Sequence, residues 1–524
     1  MLTKIYSAAI QGIDAFPVTI EVDATNGSIF SIVGLPDTSI KESHQRMVSA
    51  ITNSGIKFPH KGLTINLAPA DVKKEGAGFD LPLAIGVLAA HGVIRPVDLD
   101  TYMMLGELSL DGSVLTVKGA LPMAVKAREL GFRRLIVPEG NVTEAGVVNK
   151  IEVYGVKTLT EAIELVCDRS ALSPVNINTR EIFAAEAESF DFDFSEVKGQ
   201  ESVKRAFEVA CAGGHNLLMI GPPGAGKSMM AKRLPSILPP LSLGEALETT
   251  KIHSVAGKLA RGSMLMTRRP FRTPHHTVSP VALVGGGSSP MPGEISLAHN
   301  GVLFLDEFPE FPRQVLEVMR QPIEDRIITV SRAKYTVDYP ASFMLVASMN
   351  PCPCGYYGHP TRACTCPPGA VSRYMNRISG PLLDRIDIQV EIQPVTFDDM
   401  ANPVPAERSA SIRERVMRAR AIQNVRFQGE KGVYCNAQMN SRLLHKFAWP
   451  DEQGLRRLKE RMTKLDMSAR AFDRILRVAR TIADLEYALS MAPEAAVAAP
   501  VLSRHIAEAI GYRALDRGNY GKTF

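Results

Sequence analysis

Short β-branched runs alternate with longer helical periods over the first third of the chain. Val18-Thr19-Ile20-Glu21-Val22 and Leu63-Thr64-Ile65-Asn66-Leu67 place apolar side chains at every second position, the period of a half-buried strand. Leu121 to Leu130 has helical spacing, so residues 1–168 predict a mixed α/β or α+β domain. The most apolar stretch, Leu81 to Ile94, is about 14 residues with His91 inside it, short of the roughly 20 that span a bilayer. It predicts a buried helix, and no membrane partner is expected. Over 169–196 the pattern lapses into Ser, Pro and Asn, then into Glu186, Glu188, Asp191, Asp193 and Glu196, a linker by composition. Strands and helices resume over 197–394, and Pro394, Pro403 and Pro405 mark the next boundary. Arg408 to Gln423 and Leu455 to Ala488 are helical in period, so 395–515 predicts a helical domain before a tail at 516–524.

The sharpest chemistry lies in the middle domain. Gly221-Pro222-Pro223-Gly224-Ala225-Gly226-Lys227-Ser228 follows the apolar run Asn216 to Ile220 and precedes a helical stretch, Met229 to Leu234. In the order strand, glycine-rich loop, helix, backbone N–H groups turn inward around phosphate oxygens and the helix start adds positive potential. Lys227 then reaches the β and γ phosphates and Ser228 ligates Mg²⁺, so ATP and Mg²⁺ are the expected ligands. A second apolar strand, Gly301 to Leu305, ends in Asp306 for Mg²⁺ and Glu307 to polarise water. A third, Phe343 to Ser348, ends at Met349-Asn350; Asn350 either holds the attacking water or γ phosphate, or caps the turn before Pro351.

Composition excludes more than it selects. At roughly 150 residues per domain, 524 residues imply three or four domains, and 45% hydrophobic with 22% charged residues rules out disordered, collagenous and coiled-coil chains. Seven cysteines are too few for a disulfide scaffold and the amino end has no signal-peptide pattern, so a reducing, cytoplasmic location is expected. A net charge of +5 names no partner. Its distribution changes that picture: Lys251 to Gly293 contains no acid, yet carries Lys251, Lys258, Arg261, Arg268, Arg269 and Arg272 with His253, His275 and His276. The run predicts a basic insertion (about 251–293) projecting from the core toward a phosphate backbone. His275-His276 is not expected to bind metal, since adjacent side chains diverge on most backbones.

Four cysteines fall within fifteen residues, Cys352-Pro353-Cys354 and Cys364-Thr365-Cys366. Two close thiolate pairs suit a tetrahedral soft-ligand site, for which Zn²⁺ is the usual metal. Their one-residue internal spacing departs from common zinc modules, so reduced free thiols and a redox switch stay open.

Val197-Lys198-Gly199-Gln200, the 221–228 loop, Gly293 to Asn300 leading into the acid strand, and Ile378 to Arg385 together resemble the magnesium-chelatase-like group of AAA+ ATPases. With the amino-terminal third included, the chain resembles the ComM/YifB family over nearly its whole length. That resemblance implies a P-loop AAA+ core, an α+β Lon-protease-like amino-terminal domain, a helical lid and a homo-hexameric ring. It makes Asn350 the first sensor, Arg385 the arginine finger and Arg470 the second sensor. Arg377 competes with Arg385, and a solvated basic face competes with the role of Arg470. Two hairpins reach into the ring channel in the family, one in the basic insertion and one near Ile328 to Pro340 with Arg332 and Lys334. With Arg268, Arg269 and Arg272 these are the expected DNA contacts. Lys74 to Asp80 lines up with the Lon nucleophile loop and Val117 to Pro138 with its lysine helix, but the dyad positions hold Gly78 and Leu121, so no peptidase chemistry is expected. The function implied is a helicase-like motor on single-stranded or branched DNA, driving branch migration in homologous recombination during natural transformation. A protein-remodelling ATPase and a chelatase-type metal-insertion ATPase are the alternatives.

Overall fold

The computed structural model describes residues 2–25, 27, 29–59, 62–179, 190–259, 264–287, 290–332, 335–395, 406–465, 467–513 and 515. The alternating segments near the amino end form β1 (Leu2–Gln11) and β2 (Asp14–Thr25), an antiparallel pair with Ile5 opposite Ile20. β3 (Phe30–Val33), β4 (Gly62–Ala68), β5 (Tyr102–Met104), β6 (Arg134–Pro138) and β7 (Glu152–Val156) extend it to a seven-stranded mixed sheet, order β3-β4-β2-β1-β5-β6-β7. α1 (Thr38–Asn53) and α2 (Asp80–Ala90) cover one face. Every residue of α2 is buried, because it is the layer between α1 and the sheet, and this is why the Leu81 segment carries no polar stripe. α3 (Ala120–Glu129) covers the other face, where Leu121 and Ala124 share a core with Leu241, Ala246 and Leu265 from beyond the linker region. The first two domains therefore share packed apolar surface.

The central sheet contains β8 (Leu217–Ile220), β9 (Phe271–Arg272), β10 (Val302–Leu305), β11 (Met344–Met349) and β12 (Ile388–Glu391). All are parallel, in the order β9-β10-β11-β8-β12. Residues of β8, β10 and β11 are buried throughout, as expected where both faces of a parallel sheet are covered. Helix α4 (Glu201–Gly213) packs on one face, and Phe194, at the end of the acidic stretch, is buried edge-on against its Phe207.

The acid-free run does not project as one insertion. Its first residues end α5 (Leu243–Val255), whose His253 is buried and bonds the Leu297 carbonyl. Phe271–Arg272 form the edge strand of the central sheet, and among the described residues of the run Gly285–Gly286 pair with Met291–Pro292 as a small hairpin. A second hairpin pairs Ile327–Arg332 with Tyr335–Pro340.

The carboxy-terminal helices include α6 (Ser409–Arg426), α7 (Glu452–Leu465), α8 (Ala469–Tyr487) and α9 (Ser503–Gly511). The helical period across 455–488 is two helices, the second started by Ser468, whose side chain accepts the Ala471 N–H. Arginines of α8 that alternate with apolar residues point inward. Arg480 reaches Asp484, which also takes both Arg426 nitrogens at 2.6 Å and Asn436 at 2.8 Å, all of these groups fully buried. Arg474 donates to Asp387 at 2.8 Å.

Asp387 is fully buried beside His215 and accepts the Asn216 N–H at 3.0 Å. Burial alone would raise its pKa, but Arg474, His215 and Arg477 outweigh it and hold the carboxyl well below the usual range. Burial also holds the His215 imidazole below its ordinary value, against the pull of Asp387. At both groups the unfolded chain takes a proton at a pH where the folded chain does not. Their contribution is therefore fully present above about pH 7 and is lost as pH falls through about 6 and then 4. The urea midpoint should drop in two steps, at about pH 6 from His215 and below about pH 4 from Asp387, and Asp387→Asn should flatten the second; an unchanged slope below about pH 4 in the variant would remove Asp387 from this role.

Candidate active site

The glycine-rich loop leaves the carboxyl end of β8, beside β11, where open parallel sheets bind ligands. Gly224 and Gly226 hold φ of +77° and +83°, a conformation that favours glycine and that lets backbone N–H groups face inward. Lys227 begins the helix after the loop. Its Nζ donates to the carbonyls of Gly221 at 2.6 Å and Pro222 at 2.9 Å, and to Asn350 Oδ1 at 3.0 Å. Burial pushes the Lys227 pKa below the usual range, opposed by the charges of Asp306 and Glu307.

Ser228 Oγ donates to Asp306 Oδ2 at 2.5 Å, and Ser348 Oγ donates to the other carboxylate oxygen. The hydroxyl and the carboxylate thus already converge as a hard-cation site requires, and the residues present fit Mg²⁺. Glu307 sits at φ +53° in the left-handed region with its side chain 60% exposed, projecting from the strand end. These residues line one cleft of about 430 Å³ with Pro223, Gly224, Ala225, Gly226 and Asn350. Two neighbours belong to no motif in the sequence. Ser348 orients Asp306, and His276 Nδ1 lies 3.5 Å from Glu307 Oε2. Only the polar residue closing an apolar strand hinted at Ser348, and nothing local linked His276 to an acid 31 positions away.

The other expected site residues are dispersed. Arg385 is 5% exposed, donates to the Pro381 carbonyl at 2.6 Å and pairs with Glu324 at 2.7 Å. Arg377 is half exposed and pairs with Glu310 at 2.6 Å. Arg470 is exposed on the first turn of α8. None of the three lines the phosphate cleft of its own chain. Of the arginines expected on DNA, Arg269 bonds Glu245 at 3.0 Å and the Asn300 carbonyl at 2.7 Å, and Arg272 forms two 2.7 Å bonds with Glu294. Acids from flanking segments pair with both, so these two arginines hold the fold together. Arg268 stacks over Phe190 at 5.8 Å. Arg332 closes a strand of the second hairpin, its side chain outside the described residues, as is the whole of Lys334.

The four clustered cysteines converge, with all four sulfur atoms within 4.8 Å of one another. Cys352 Sγ lies 3.3 Å from Cys354 and 3.7 Å from Cys364, and Cys354 lies 3.5 Å from Cys364. Burial opposes ionisation of Cys354, yet the N–H groups of Tyr356 and Thr365 with the thiols of Cys352 and Cys366 pull its pKa down to about 5. Such a donor set suits one soft divalent cation. In the amino-terminal domain, Gly78 lines an apolar cleft of about 520 Å³ with Val117, Lys118 and Met123, and Leu121 is wholly buried. The described lining contains neither serine nor cysteine.

The phosphate cleft at the ends of an all-parallel, five-stranded sheet, with a hairpin leading into β11, defines a P-loop module of the AAA+ class. Three family models match in succession: subunit ChlI of Mg-chelatase over residues 20–141, magnesium chelatase subunit ChlI over 193–400, and the ChlI carboxy-terminal model over 406–513. Protein YifB of Salmonella typhimurium is 42% identical over 523 residues, and competence protein ComM of Haemophilus influenzae is 41% identical over 520, each match covering 98% of both chains. A stretch of 125 residues, 24% of this chain and 22% of the relative, is 28% identical to Lon protease 2 of Bacillus subtilis. The chain belongs to the ComM/YifB family of magnesium-chelatase-like AAA+ proteins, with a Lon-like domain at its amino end. Among the described residues, no helix is long and apolar enough to cross a membrane.

Proposed function

We propose that this protein is an ATP-driven, hexameric DNA motor of the cytoplasm that promotes branch migration when incoming DNA recombines during natural transformation. The observation that carries the reading is a cleft organised for nucleotide hydrolysis in a chain that matches a competence protein over 98% of its length. Mg²⁺, when bound, neutralises charge on the β and γ phosphates. Ser228 and Asp306 hold it, with Asp306 kept in orientation by Ser348. The loop N–H groups cradle phosphate, and Lys227 exchanges its carbonyl contacts for phosphate oxygens. Glu307 orients and polarises the attacking water, and Asn350 senses the γ phosphate. In a ring, Arg385 turns from Glu324 to a neighbouring subunit's γ phosphate and Arg470 serves as second sensor.

DNA contact is assigned to the 327–340 hairpin, through Arg332 and Lys334, and to Arg268, gripping phosphates without reading bases. The four cysteines hold one structural Zn²⁺. DNA-stimulated turnover tests the reading: ATPase activity should rise with single-stranded or branched DNA, and ATP should drive strand displacement from a forked or four-way substrate. Turnover indifferent to every DNA form would overturn it and favour a protein-remodelling or chelatase-type ATPase.

A further inference from the structure

The four-cysteine loop begins two residues after Asn350, and its first turn packs against the phosphate loop. Cys352 is fully buried, and its carbonyl accepts the Gly355 N–H at 3.0 Å. That turn sets Gly355 at φ +85°, so close to the glycine-rich loop that a β-carbon there would lie 2.5 Å from Pro223 Cδ. On the side of Asn350, the Gly221 N–H donates to the Met349 carbonyl at 3.2 Å. Beyond the cysteines, Tyr374, on the helix Ala370–Met375, hydrogen-bonds the Asn350 backbone. The peptide carrying Asn350 is thus held from both ends of the cysteine loop. Asn350 in turn holds Lys227 at 3.0 Å.

A loop of this length, rich in Pro and Gly and without regular structure between Pro351 and Gly369, has little of its own to define its shape. Four thiolates joined through one cation would define it, because bound metal contributes its binding free energy to the ordered conformation. We propose that the cysteine cluster is a metal-dependent positioning element for catalysis: a soft divalent cation bound by Cys352, Cys354, Cys364 and Cys366 fixes Asn350 and the Gly355 turn against Pro223 of the phosphate loop, and turnover depends on that cation. The proposal rests on the zinc reading of the cluster. The Cys352 thiol is the inner anchor and the Gly355 turn the contact that transmits the constraint. Loss of the cation releases Asn350 without removing any group that touches the nucleotide.

The experiment uses the full-length protein, first assayed for zinc, then stripped by a chelator under thiol-reducing conditions and reloaded with Zn²⁺. Turnover, ATP KM, affinity for a fluorescent ATP analogue and circular dichroism are measured at each stage, for the native chain and Asn350→Ala. Expected are about one zinc per chain and, on stripping, a fall in kcat of about tenfold or more with analogue affinity changed less than about threefold, restored on reloading. Stripping should add nothing to the loss already present in Asn350→Ala, since both act through one side chain. Gly355→Val provides a variant that keeps all four thiols: it should retain zinc and still lose kcat, because its side chain meets Pro223. Zinc below about 0.3 equivalents in the native protein overturns the metal reading itself. Zinc at full occupancy with kcat unchanged on stripping, or losses that multiply in Asn350→Ala, overturns the positioning role while leaving the metal site standing.

Discussion

Glu307→Gln should bind ATP as the native chain does and hydrolyse it about 10²–10⁴ times more slowly, the span expected when a positioned base is removed. Glu307 lies just past the end of β10 with its side chain 60% exposed and its carboxylate 3.5 Å from His276. Its backbone N–H donates to Asp306 Oδ1 at 3.1 Å, a bond the substitution keeps, so the metal-binding carboxylate stays in place. Glutamine keeps the shape and a hydrogen-bonding oxygen but cannot take a proton from water. The check is steady-state turnover beside nucleotide affinity. Normal turnover with tight binding would remove Glu307 from the chemistry, and a large loss of affinity would mean that it shapes the cleft.

The second large effect concerns stability. Asp484→Ala should destabilise the chain by about 3–5 kcal/mol, the cost of leaving buried charge uncompensated. Asp484 is fully buried and answers Arg426 through two 2.6 Å bonds and Arg480 at 3.0 Å, so its loss strands two guanidinium groups that water cannot reach. The node joins α6 to α8 and, through Asn436, to the loop between α6 and α7. Both helices pack on α4, which backs the ATP-binding sheet. Urea unfolding of the full chain, with Asp484→Asn in parallel, provides the measurement. Asn keeps the volume and one acceptor, and should recover part of the loss; a midpoint equal to that of the native chain would show that the arginines find other partners.

The nucleotide site was legible because its determinants are local. Eight consecutive residues form the phosphate loop, and a continuous apolar run before each acid or amide announces a buried strand with chemistry at its end. The strands, the buried α2 and the carboxy-terminal helices followed from periodicity for the same reason. What periodicity could not supply was the partner of each charge. Arg269 and Arg272 read as a free basic face because the acids they meet, Glu245 and Glu294, lie 24 and 22 positions away, outside the acid-free run. The sequence offered no partner for Arg474 of α8 for the same reason, since Asp387 lies 87 positions away. The break near Ser468 was missed because the apolar period barely shifts across it, and a cap is one side chain.

By itself the sequence determined a phosphate-binding loop between strand and helix, with Lys227 and Ser228 at the helix start and Asp306, Glu307 and Asn350 just past strand ends, because hydrophobic period and loop chemistry act over a few residues; the AAA+ class followed from the family resemblance. Only the tertiary structure decided that Asn350 holds Lys227, that His276 faces Glu307, that the four sulfurs meet within 4.8 Å and that Arg269 and Arg272 pair with acids outside the basic run. Those are pairings across space, where desolvation obliges each buried charge or thiol to find a partner and the fold alone chooses which.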